Sequence, residues 1–152
     1  MTKTILLLLI ALSSCAPTKA PQDNPSITAP TEQIVFLNLK IQKAPNGNKI
    51  TLLSKTKTTG KIKQNPQKPR SQEYLTIEVF NNNTLYQTTY NTHPLYKNIE
   101  YADEQNQLTT KSIQLDQDEF FIRLQTKSGQ TKVRIYETLK DKPKTELITL
   151  TL

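Results

Sequence analysis

The sequence predicts an all-β protein, an antiparallel β-sandwich of immunoglobulin-like architecture with about seven to nine short strands. Three observations predict it. From Glu32 onward, Val, Ile, Leu, Thr, Tyr and Phe alternate with polar side chains, the period of a half-buried strand. These runs recur at roughly ten-residue intervals, separated by clusters of Asn, Gly, Pro and Lys. No stretch repeats its apolar residues at the helical period of about 3.6.

Each element follows from that alternation. Val35, Leu37, Leu39 and Ile41 share one face of a first strand. Residues 44–48 (Ala-Pro-Asn-Gly-Asn) then make a hairpin turn, Asn-Gly being the strongest short-range hairpin signal. A second strand runs over 50–56, with a pattern that permits continuation through 57–62. Leu75, Ile77 and Val79 form a third, closed by Asn81, Asn82 and Asn83, and 85–90 pairs back as a fourth. Residues 96–101 and 108–115 flank a turn at 103–106. Phe120, Ile122 and Leu124 come next, followed by strands at 133–138 and 146–152. Residues 116–119 (Asp-Gln-Asp-Glu) read as a single helical or turn-like step. With three Gly in the chain, Asn must fill most turn positions of positive φ. The Cys…Trp…Cys hallmark of true immunoglobulin domains is absent, so the expectation concerns architecture.

Composition removes several functions. The 152 residues contain one Cys, one His and no Trp. One Cys excludes an intramolecular disulfide and any multi-Cys zinc site, and one His argues against most zinc enzymes. A Ser-His-Asp hydrolase would need His93 as its base, and no serine sits in a Gly-x-Ser-x-Gly elbow. Neither a cofactor nor a metal is expected.

The N-terminus is the most specific feature. Lys3 precedes an apolar run at 5–12 (Ile-Leu-Leu-Leu-Leu-Ile-Ala-Leu), which spans only about 12 Å as a helix against a hydrocarbon core of about 30 Å. That is a signal-peptide h-region rather than a membrane anchor. Leu12-Ser13-Ser14-Cys15 follows, and here the chain resembles the bacterial lipoprotein family, whose lipobox is an aliphatic residue, two small ones and a Cys. The resemblance covers residues 1–15 and implies removal of 1–14 and acylation of Cys15. Two or three acyl chains would hold the protein stably in a bilayer. Ala16 stands where proteobacterial lipoproteins retained at the inner membrane carry Asp, which favours the outer membrane in a Gram-negative cell. Residues 15–31, with Pro17, Pro21, Pro25 and Pro30, read as the lipidated Cys and an extended tether, and 32–152 as the β-sandwich domain.

Charge points to candidate contact residues. The formal net charge is +7, but residues 33–72 hold nine Lys/Arg and no Asp or Glu, whereas 73–152 hold nine against eleven. Lys55 and Lys57 share a strand face, as would Lys61 and Lys63. Such a stripe suits an anionic envelope component; equally, it can be a solvated face that protects a sheet edge. Nucleic acid is not expected of an exported, tethered protein. Tyr86, Tyr90, Tyr96 and Tyr101 fall close together, Tyr86 and Tyr90 sharing a face opposite Leu85, and could form a flat carbohydrate or protein contact. His93 lies in Asn91-Thr92-His93-Pro94, a turn. Asp116, Asp118 and Glu119 are the densest carboxylates, but they lack the Gly and terminal Glu of a calcium loop, and adjacent strand residues face opposite sides.

The expectation is a membrane-anchored cell-envelope lipoprotein with a non-catalytic binding or structural domain, meeting the bilayer through Cys15 and an anionic envelope component or another envelope protein through the lysines or tyrosines. The alternatives are an envelope hydrolase using His93 or the Asp116, Asp118 and Glu119 carboxylates, and an inhibitor of a secreted enzyme.

Overall fold

The computed structural model describes residues 32–63 and 67–152. Cys15 and the tether at 15–31 lie outside the described residues. Nine strands follow in order: β1 (Gln33–Gln42), β2 (Lys49–Thr59), β3 (Tyr74–Asn81), β4 (Thr84–Thr92), β5 (Tyr96–Ala102), β6 (Leu108–Gln114), β7 (Gln117–Thr126), β8 (Thr131–Thr138) and β9 (Thr145–Thr151). Among the described residues there is no helix. The expected step at 116–119 is reduced to a bend at Asp116, because Asp118 and Glu119 pair with Ile41 and Lys40 of β1 as regular strand residues.

The strands form a three-stranded sheet of order β2-β1-β7, a four-stranded sheet of order β4-β3-β8-β9, and a separate hairpin, β5-β6; every pairing is antiparallel. The two larger sheets pack face to face as a sandwich. Val35, Leu37, Leu39 and Ile41 are fully buried against Leu124, Leu75, Ile77, Val79, Val133 and Ile135. The alternation in sequence is the reason. Side chains two apart on a strand leave the same side of the sheet, so an apolar row on each strand forms one inner layer.

Asn fills less than the expected share of the turns: among the described residues positive φ occurs at three Asn, three Gly and one Asp. Asn82 and Asn83 take φ of 48° and 65° between β3 and β4, the two left-handed positions of a tight hairpin, and Asn106 takes 58° between β5 and β6. Gly47 closes the β1–β2 turn with φ of 116°, its N–H donating to the Ala44 carbonyl at 3.1 Å.

Strand order leaves one described strand without a facing strand. β2 approaches β9 and β7 approaches β3 across the sandwich. The orders β2-β1-β7 and β9-β8-β3-β4 therefore stack strand on strand until β4, which among the described residues has no strand of the other sheet opposite it.

Candidate binding groove between β4 and β7

The four lysines separate. Lys55 and Lys57 lie on β2, an edge strand, opposite Leu37 and Val35 of β1. A bulge at Asn38/Leu39 shifts the parity of β2, so both lysines point to the inward side of the sheet beyond the rim of the core, and both are exposed. An inward-pointing charge on an edge strand blocks pairing with another chain. β2 ends at Thr59, so Lys61 and Lys63 stand on the irregular segment that crosses toward the other sheet.

Gln125 holds that segment. Its buried side chain accepts from the Ile62 N–H (2.7 Å) and donates to the carbonyls of Gln33 and Gly60 (3.1 Å each). Gly60 suits the crossing because its φ is 154°, a conformation that L side chains rarely adopt, and a Cβ would stand 3.1 Å from Ile34 Cδ1. Pinned this way, Ile62 and Lys63 lie along the gap between β7 and β4.

The gap is a groove of two adjoining parts, each about 220 Å³, which share Ile62 and Gln87. Ile77 and Ile122 line the upper part, with Gln87, Thr89 and Asn91 on the β4 side and Phe121 and Arg123 on the β7 side. Register explains the polar wall. Gln87, Thr89 and Asn91 pair with the inward-facing Val79, Ile77 and Leu75, so they too point between the sheets. Gln87 Oε1 is buried and has no hydrogen-bond partner among the described residues. Phe121, by contrast, is 73% exposed at the rim.

Tyr86 and Tyr90 reach this groove from opposite sides of β4, which corrects the shared face expected of them. A register shift between Val79 and Phe80 gives β4 one extra residue, and that residue inverts the parity. Tyr86 packs against the core and lines the lower part of the groove, with Lys127 Nζ 4.8 Å from its ring centroid. Tyr90 pairs with Thr76 on the outer face, edge-on to Tyr74 at 6.0 Å, and borders the upper part. Lys61 and Lys63 border the lower and upper parts respectively. Lys61 is within 3.9 Å of Glu32, an exposed contact. The groove thus gathers Lys61, Lys63, Tyr86 and Tyr90 from the sequence candidates and adds Arg123, Gln87 and Gln125, none of which carries a sequence mark of its own.

The remaining candidates lie elsewhere. His93 lies at the turn between β4 and β5, as expected, and is buried there against a carboxylate. Its Nδ1 accepts from the Leu95 N–H at 3.2 Å, so the proton sits on Nε2, which donates to Glu137 Oε1 at 2.7 Å. Asn48 Nδ2 also donates to Glu137 Oε1. Burial pushes the Glu137 carboxyl up, but the bonds from His93 and Asn48 outweigh it, and the net shift is downward. Tyr96 stacks edge-on to His93 at 4.8 Å, and burial raises its phenol, with Glu137 and Glu73 adding to the effect. His93 and Asp118 border one cavity of about 540 Å³, together with Ser71, Tyr96 and Lys97. Yet both imidazole nitrogens are engaged, and Asp118 Oδ2 is 2.8 Å from Lys97 Nζ. Asp116 lies at the bend, where its carbonyl accepts from the Lys43 N–H, and Glu119 faces outward opposite Lys40. Tyr101 is exposed on the β5-β6 hairpin. Among the described residues no three His, Cys, Asp or Glu side chains converge as a metal site.

Comparison of the chain with protein-family models, curated proteins and solved structures finds no match.

Proposed function

We propose that the protein is a membrane-anchored cell-envelope lipoprotein whose β-sandwich is a non-catalytic binding module, and that the groove between β4 and β7 is its contact surface. The carrying observation is convergence. Lys61 and Lys63 meet Tyr86, Tyr90 and Arg123, all distant from them in sequence, around a cleft that contains a buried Gln87 oxygen without a partner among the described residues. A buried polar group without a partner is destabilising by about 1–3 kcal/mol, so a ligand that satisfies it gains binding energy. The anchor rests on Leu12-Ser13-Ser14-Cys15 behind the apolar run at 5–12.

Two measurements test this. In the native host, Cys15→Ala should move the protein from the membrane fraction to the soluble fraction; unchanged partitioning overturns the anchor. In pull-downs from solubilised envelope, the pair Lys63→Glu and Arg123→Glu should lose the captured partner while unfolding at the wild-type midpoint. Both side chains are exposed, so their reversal should leave the core intact. Unchanged capture overturns the groove.

A further inference from the structure

We propose that the outer face of the four-stranded sheet is a second binding surface, distinct from the groove, and that its ligand is a linear acidic polysaccharide.

Register builds the face. Tyr74, Thr76, Glu78 and Phe80 of β3 alternate with the core residues Leu75, Ile77 and Val79, so their side chains leave the other side of the sheet. Their ladder partners on β8 are Thr138, Tyr136, Arg134 and Lys132, which stand on that side too. Three rings of this face carry a cation. Arg134 lies over Phe80 at 5.0 Å, Lys144 over Tyr136 at 4.1 Å and Lys68 over Tyr74 at 4.8 Å. Phe80 and Tyr74 stand at opposite ends of the same alternating row of β3, so the three rings span a line of about 20 Å. A cation seated on a ring has given up part of its freedom before any ligand arrives, which reduces the entropy lost on binding.

One end of the line is concave. Lys68, Arg70 and Lys140 border a shallow cavity of about 510 Å³ with the hydroxyls of Tyr74 and Thr138, and Asp141 is the one carboxylate among its lining residues. The Tyr74 phenol registers the positive field. Lys68 beside it, then Thr138 and more distantly Lys144, lower it from its ordinary value.

Charge and polarity together select the ligand. Lys68, Arg70, Lys132, Arg134, Lys140 and Lys144 outnumber Glu78, Asp141 and Glu146 on the face and its concave end. The ligand is therefore an anion, but two of the carboxylates sit within the line. Glu78 is 2.9 Å from Lys144 Nζ, and Glu146 accepts from the Thr149 hydroxyl at 2.7 Å. The packed acidic head groups of a bilayer would be pressed against these carboxylates. A sugar chain instead alternates carboxylates with hydroxyl donors, and Glu78, Glu146 and the Tyr and Thr oxygens can accept from the hydroxyls. A folded protein partner would need an apolar centre, and the centre of this face is the Glu78–Lys144 pair.

The test titrates the full chain, in neutral detergent micelles at about 0.1 M salt, with polygalacturonate and with neutral dextran; exposed charges then act over about 10 Å. Polygalacturonate is expected to bind and dextran is not. Lys68→Ala with Arg134→Ala and Lys144→Ala is expected to weaken binding about tenfold or more. Lys63→Glu with Arg123→Glu, at the groove, removes more positive charge yet is expected to leave binding within about twofold of wild type. If the triple variant unfolds early, Arg70→Glu with Lys140→Glu, both exposed at the concave end, gives the same reading. Absence of polygalacturonate binding, equal losses in the face and groove variants, or displacement of the polysaccharide by phosphatidylglycerol doped into the micelles would overturn the inference. The groove reading is untouched by any of these results, because it rests on capture of the envelope partner.

Discussion

At the residue scale, the informative side chain is a glutamate in the wrong register. Val133, Ile135 and Glu137 alternate on the inner face of β8, so a carboxylate enters the layer that holds the core. It persists because His93 and Asn48 donate to it. Removing one donor leaves a buried acceptor less satisfied, which destabilises by about 1–3 kcal/mol. His93→Ala should therefore lower the urea midpoint substantially. The pH dependence has a definite sign. The folded-state pKa of Glu137 lies below the ordinary carboxyl value of 4.5, so the folded state favours its ionised form. That contribution is fully present above 4.5 and disappears as the pH falls through the lower folded value. Glu137→Gln should be less stable at neutral pH and lose less on acidification; equal slopes of stability against pH for the two proteins would contradict this.

At the element scale, bulges decide what alternation alone cannot. The shift in β1–β2 turns Lys55 and Lys57 inward beyond the core rim, and the shift in β3–β4 separates Tyr86 from Tyr90. A parity rule applied across an unseen extra residue inverts every assignment beyond it. For Lys55 and Lys57 the consequence is a protective role. Lys55→Val with Lys57→Val should leave unfolding stability within about 0.5 kcal/mol and promote concentration-dependent association, read by light scattering. Undiminished solubility would show that the edge needs no guard. The hairpin β5-β6 illustrates the same limit. Its two strands are legible as alternating runs, but nothing local marks that they pair only with each other. The Leu115 N–H to Leu95 carbonyl bond at 2.8 Å only continues the hairpin's own ladder, whereas Lys97 Nζ, 2.8 Å from Asp118 Oδ2, reaches from the hairpin to β7 of the sandwich.

At the scale of the whole molecule, the basic block at 33–72 disperses. Lys40 faces outward opposite Glu119, Lys55 and Lys57 guard an edge, and only Lys61 and Lys63 reach the groove. There they meet Arg123 and Lys127 from the half of the chain that is net acidic. The local field at the groove is positive because folding sorts the charges, whatever the sum over a sequence window. Exposed charges are screened over about 10 Å at 0.1 M salt, so envelope capture through this groove should weaken steadily as ionic strength rises. Salt-independent capture would point to an apolar surface, such as that around Phe121 and Phe36, instead.

Strand number, strand position, turn chemistry and the core rows were all determined by the sequence alone, because they depend on a period of two and on residues that tolerate positive φ. The Leu12-Ser13-Ser14-Cys15 pattern is likewise local. Which strands are neighbours, where a bulge falls, which strand lacks a counterpart among the described residues, and that Glu137 would find the single His of the chain were decided only by the tertiary structure. Those features arise from contacts between residues far apart along the chain, and the alternation that predicts a strand is blind to its partner.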